Sequence, residues 1–107
     1  MKHKVFKLFV DFEKEERWLN EMSAKGLQFS SYYYGQYVFE EGEPGEYTYR
    51  MEMMESDPRG AEGLAYIRFM EDAGVECVDT FWRWAYFRKK TAEGPFDLFT
   101  DAQSRIR

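Results

Sequence analysis

Gly26 and Gly74 stand 48 residues apart, and the same offset aligns much of what lies around them. Trp18 then meets Tyr66, Leu19 meets Ile67, Met22 meets Met70 and Leu27 meets Val75. Further on, Tyr33 meets Phe81, Tyr34 meets Trp82 and Phe39 meets Phe87. One added residue in the later turn pairs Gly45 with Gly94 and Tyr47 with Phe96. Any two amphipathic units of the same element order share some of this likeness, but the matched helix-stop glycines and hairpin aromatics favour an internal repeat, which would set the topology.

Periodicity reads each half as strand, helix, strand, strand. KVFKLFV alternates and is rich in β-branched and aromatic residues, which predicts a strand. Asp11 suits a helix N-cap, with Glu13, Glu15 and Glu16 near the positive end of the helix dipole. Trp18, Leu19 and Met22 form an apolar stripe, and Gly26 suits the left-handed residue that stops a helix. LQFSSYYY and YVFEE are strands about a tight Gly35-Gln36 turn, GEPG is a second turn, and EYTYRMEMM is the next strand. SDPRG breaks the chain, Leu64, Ile67 and Met70 stripe a second helix, and Gly74 ends it. VECVDTFW and AYFRKK pair, TAEGP turns, and FDLF is a last strand.

The expectation is one α+β domain over 1–107, built of duplicated β-α-β-β units at about 4–46 and 47–99. Both helices would cover one face of a largely antiparallel sheet, a two-layer sandwich that is ferredoxin-like in the broad sense. In element order it is also similar to the GyrI-like drug-binding domains, a likeness of architecture that transfers no ligand residue.

Side chains alternate across a sheet. Leu27, Phe29, Ser31 and Tyr33 share one face, as do Val75, Cys77, Asp79 and Phe81, and the helix stripes assign these to the core with Phe39 and Phe87. Tyr32, Tyr34, Val38, Val78, Trp82 and Tyr86 then fall on a helix-free face. One alternation of the fourth strand joins them, either Tyr47, Tyr49, Met51 and Met53 or Thr48, Arg50 and Glu52. The 21 aromatics would fill only about a third of the area such a chain buries, so area alone does not force any of them outside. An apolar patch of this size invites a second copy packing sheet to sheet, a small amphipathic ligand, or another part of a longer chain. The plain alternative is cross-strand pairing that stiffens the sheet. The candidate binding face is therefore Tyr32, Tyr34, Val38, Trp82 and Tyr86, with Glu40 or Arg83 setting its polarity. Ion pairing of Glu40 with Arg50 or Arg88 is the structural alternative for that carboxylate.

Other chemistry is sparse. A net charge of -5 argues against nonspecific nucleic-acid binding, which needs a basic face. Cys77 is the single cysteine, which excludes an internal disulfide and fits a reducing compartment. No apolar run is long enough for a transmembrane helix, and the basic start lacks the h-region of a signal peptide. His3, the only histidine, is expected in a mobile terminus as a bystander, and Cys77 as a structural thiol. There is no Cys/His spacing for a metal and no phosphate loop, and Glu40, Glu41, Glu43 and Glu46 read as solvated charge about a turn. No cofactor, metal or catalytic residue is expected.

FKLFVDFEKEERWLNEMSAKG, YVFEEGEPGEYTYRMEM and WAYFRKKTAEGPFDLFTD resemble the bacterial family known as domain of unknown function 2812, over Phe6 to about Ile106. The resemblance implies a membrane-associated protein, often encoded near PadR-type regulators, in which hydrophobic helices follow this domain. It supplies no activity and no catalytic residues. TDAQSRIR then reads as a helix just begun at 100–107, capped by Thr100 or Asp101. The combined expectation is a noncatalytic sensory or regulatory domain that binds a ligand or partner, on the cytoplasmic side of a membrane-anchored protein. A membrane would be met only through segments outside this chain. The alternative is a homo-oligomeric interaction module with no small-molecule ligand.

Overall fold

Strand β1 (Lys2–Phe6) leads to helix α1 (Phe12–Ala24), then strands β2 (Leu27–Tyr33), β3 (Gln36–Glu41) and β4 (Tyr47–Met53). Helix α2 (Ala61–Asp72), strands β5 (Glu76–Phe81) and β6 (Trp84–Lys90) and a 3₁₀ turn at Thr91–Glu93 complete the order. This computed structural model describes residues 2–96. The expected FDLF strand beyond Phe96 and the helix start at 100–107 lie outside the described residues.

The local signals explain the element ends. Asp11 caps α1, its carboxylate accepting the Glu13 N–H at 2.9 Å. Gly26 leaves α1 at φ 92° and Gly74 leaves α2 at φ 90°, a conformation glycine adopts without a Cβ clash. Strand β1 is shorter than KVFKLFV suggests. Its partner β3 begins at Gln36, opposite Phe6, so Leu8 and Val10 have nothing to pair with and stay exposed. Gly63 lets the chain before α2 come close, since a Cβ there would sit 2.1 Å from the Asp57 carbonyl oxygen.

The α+β class holds, with antiparallel strands in two three-stranded sheets ordered β1-β3-β2 and β4-β6-β5. The sheets are not arranged as one layer with both helices on one side. Successive residues of β6 point to opposite faces. Ala85 and Phe87 join Met54, Met70 and Val75 beneath α2, whereas Tyr86 joins Leu19, Phe29, Tyr37, Phe39, Tyr49 and Met51. The two helices therefore engage opposite faces of the second sheet. The face expected to be helix-free is covered by the first half of the chain, with the Tyr86 ring 4.9 Å from Phe29.

Each half carries one β-bulge, between Phe29 and Ser31 in β2 and between Cys77 and Asp79 in β5, again 48 residues apart. The bulge sets Phe29 opposite Phe39 but Tyr32 opposite Tyr37, so the extra residue reverses the alternation beyond it. Tyr33, expected in the core, is 70% exposed. Tyr32, expected on the open face, packs against the core beside Tyr37, with ring centroids 4.7 Å apart.

Helix α1 also closes the outer edge of β4. Asn20 donates to the Tyr49 carbonyl at 3.0 Å and accepts the Tyr49 N–H at 2.7 Å. Ser23 Oγ donates to the Tyr47 carbonyl at 2.6 Å, and Glu16 accepts the Met51 N–H at 2.9 Å. Residues 16, 20 and 23 lie on one helix stripe and substitute for a neighbouring strand. Between β2 and β5, Asp79 accepts the Tyr32 N–H at 3.0 Å, tying the two sheets together beside their bulges.

Candidate binding cleft at the hairpin tips

The two hairpins end side by side. Tyr34 and Gly35 turn the first at φ 44° and 87°, both left-handed, as a two-residue hairpin loop of the primed type requires. Trp82 turns the second at φ 59°. Phe81 lies between them, its ring 4.9 Å from Tyr34 and 4.9 Å from Tyr32, both nearly perpendicular. Tyr33 meets Tyr34 edge to face at 4.6 Å. Behind the first turn Phe6 and Leu8 lie on Gly35, where an added Cβ would be 2.8 Å from the Phe6 ring.

Basic side chains complete the wall. Arg83 Nε donates to the Met54 carbonyl at 2.8 Å and its Nη2 to the Glu55 carbonyl, while the Met54 N–H returns to the Arg83 carbonyl at 2.7 Å. The guanidinium is thus fixed to the chain leaving β4. Asp57 Oδ1 accepts the Arg59 N–H at 2.9 Å, shaping the loop before α2. Together these elements enclose an open cleft of about 670 Å³. That volume is in the range of small-molecule sites. Tyr33 and Trp82 are each 70% exposed on it and Tyr34 58%.

The family model described as Protein of unknown function (DUF2812) matches residues 11–107. The chain belongs to this family. No curated protein and no solved structure matches it.

In this DUF2812 protein the expected site is split. Tyr34, Trp82 and Arg83 come together at the cleft. Tyr86 does not: it is 3% exposed, and its hydroxyl donates to Glu15 at 3.1 Å. Tyr32 lies beneath the cleft as a spacer between Phe81 and Tyr86. Val38 is half-buried and Glu40 exposed, both on the face of β3 opposite Tyr37 and Phe39. Glu40 sits near the far end of β3 and borders a separate groove with Glu76 and Arg88. There Arg88 pairs with Glu76 at 2.9 Å and lies 3.8 Å over the Tyr47 ring, so Glu76 takes the place proposed for Glu40.

Tyr33, Phe81 and Arg59 belong to the cleft, and nothing in the sequence marks the bulges that bring the two aromatics there. Glu15 was legible in principle. It lies at i, i+3, i+4 and i+7 with Trp18, Leu19 and Met22, a carboxylate on the apolar stripe. It is 8% exposed, and burial raises its pKa against the lowering effect of the Tyr37 and Tyr86 hydroxyls.

The remaining polar groups have structural settings. His3 lies in β1 rather than in a loose terminus and contacts Glu41 at 2.8 Å, which holds the Glu41 carboxyl below its usual range. Cys77 is half-buried, and burial pushes its thiol up to about 12. Among the described residues no group of three or more His, Cys, Asp or Glu is placed to hold a metal ion. Among them, too, no helix is long and apolar enough to cross a membrane.

Proposed function

We propose that this chain is a noncatalytic ligand-binding domain whose working surface is the aromatic cleft at the hairpin tips. The carrying observation is the backbone at Tyr34 and Trp82, bulky residues held at φ 44° and 59°. An L-residue there is disfavoured by roughly 1–2 kcal/mol, and folding alone selects Gly, Asn or Asp. Here the same turn position of both hairpins carries a large ring turned to solvent at a cleft. Strain kept at a surface site is a reason to look for function in the side chain that causes it. Binding would bury apolar ring area, at about 25 cal/mol per Å² before the costs of association.

Such a site on a compact scaffold is compatible with a sensory or regulatory role, which is the role we propose. The half-buried free thiol of Cys77 and the family resemblance support placing the domain on the cytoplasmic side of a membrane-anchored protein. A thermal-shift screen of flat aromatic compounds, repeated on Trp82→Asn, tests the site. Stabilisers of the parent chain should lose their effect in the variant. Shifts that persist unchanged would place binding elsewhere, and a concentration-dependent dimer by sedimentation, dissociated by Trp82→Asn, would assign the rings to a second copy.

A further inference from the structure

The charge around the cleft indicates which ligands it takes, an inference that rests on the cleft being the working surface. Three charged side chains line it: Asp57, Arg59 and Arg83. Asp57 is directed to its own loop, accepting the Arg59 N–H. Arg83 spends two of its five N–H donors on the Met54 and Glu55 carbonyls, which fixes the guanidinium and leaves donors over. Arg59 is exposed, and its side chain has no partner among the described residues. Glu40, Glu41, Glu46 and Glu76 lie instead at the other groove, toward the opposite ends of their strands. A protein with net charge -5 thus presents its exposed rings beside two guanidiniums and one committed carboxylate.

A guanidinium fork matches a carboxylate bidentately, and one held in place by main-chain carbonyls loses little freedom on binding. The neighbouring rings offer edges and faces to a flat apolar body. A cationic aromatic would find ring faces but would be repelled by both arginines. We propose that the cleft takes a flat aromatic carboxylate, its ring system against Trp82 and Tyr34 and its carboxylate toward Arg59 and Arg83.

The test uses three probes of one shape: naphthoate, naphthylmethanol and naphthylmethylammonium. Each is titrated into the isotope-labelled chain while the indole N–H resonance of Trp82, assigned by its loss in Trp82→Asn, is followed. Naphthoate should bind tightest, the alcohol more weakly and the ammonium weakest. Arg59→Gln, a change on an exposed loop, should weaken naphthoate by on the order of tenfold and leave the alcohol unchanged. If the alcohol or the ammonium binds as tightly as naphthoate, or if Arg59→Gln leaves naphthoate binding intact, the anionic ligand class is wrong while the cleft stands. If none of the three moves the Trp82 resonance, the cleft itself is wrong and this inference falls with it.

Discussion

Tyr37 donates its phenolic hydrogen to Glu15 Oε2 across 2.5 Å, joining the first sheet to α1, and Tyr86 of the second sheet donates to the same oxygen at 3.1 Å. One carboxylate thereby links a helix and both sheets at the centre of the larger core. Burial makes its charge unfavourable and raises its pKa above 4.5, while the two phenols oppose that rise.

This sets a pH dependence. A raised native pKa means that the folded state holds the proton more tightly than the unfolded chain. The associated stability is complete below about 4.5 and is lost as pH rises through the native value. Wild type should therefore gain stability relative to Glu15→Gln as the solution is acidified from neutrality into that window, read from urea midpoints. Glu15→Gln keeps an acceptor for the phenols and should be no less stable than wild type at neutral pH. Glu15→Ala strands both hydroxyls and should cost about 2–4 kcal/mol. A wild-type-minus-Gln difference that does not change with pH would show that Glu15 does not titrate in this way.

The turn residues should separate stability from binding. Tyr34→Gly and Trp82→Asn relieve left-handed strain but give up ring contacts such as Tyr34 with Phe81. The opposing terms, with relief of roughly 1–2 kcal/mol, should leave each variant within about 1 kcal/mol of wild type. Ligand-induced shifts should nevertheless disappear. A variant that unfolds, with a loss above about 3 kcal/mol, would make these rings structural and remove the argument from strain.

Most of the architecture was legible because it rests on local chemistry. Asp11, Gly26, Pro44-Gly45 and Gly74 mark ends and turns by steric and hydrogen-bonding preferences that any chain shows. The faces were not legible, since a bulge is a single inserted residue and neither Ser30 nor Val78 differs from an ordinary strand residue. That insertion exchanged Tyr32 with Tyr33 and moved one ring of the expected site inside. The stacking of the first half over Tyr86 was also hidden, because alternation within a strand cannot report what covers either face. Tyr34, Trp82 and Arg83 lie together at the cleft because turns stay exposed however the strands behind them are registered.

The exchange of faces is itself testable in β2. Tyr33→Ser removes an exposed ring and should change stability by no more than about 0.5 kcal/mol. Tyr32→Ala removes a ring packed on Tyr37, Phe81 and Tyr86 and should cost about 2–4 kcal/mol. Thermal midpoints in the reverse order would mean that alternation runs through Ser30 without a bulge.

Asn20 offers a separate check on how α1 closes the β4 edge. Asn20→Ala deletes two hydrogen bonds to Tyr49 and should cost about 1–3 kcal/mol. The exposed edge should also become available for pairing, so sedimentation should show self-association absent from wild type. Faster hydrogen exchange at the Tyr49 amide, with the β4 amides that bond to β6 still protected, would localise the effect. Unchanged exchange there would mean that the helix side chain contributes nothing to closing the edge.

Cys77 reports on the opposite side of the second sheet. Its thiol donates to the Asp79 carbonyl at 3.6 Å beside the bulge, the side chain packs against the cluster that holds Met70 and Phe87, and burial pushes the pKa up to about 12. Near pH 8 its thiolate fraction would be about a thousandfold below that of an unperturbed cysteine at about 8.5. Modification by a disulfide reagent should therefore be slower than for a small free thiol by on the order of a thousandfold or more. It should accelerate with denaturant in parallel with global unfolding, because burial both suppresses the thiolate and blocks the reagent. Rapid labelling of the native protein, insensitive to denaturant, would show instead that the start of β5 opens on its own and that Cys77 is not held beneath α2.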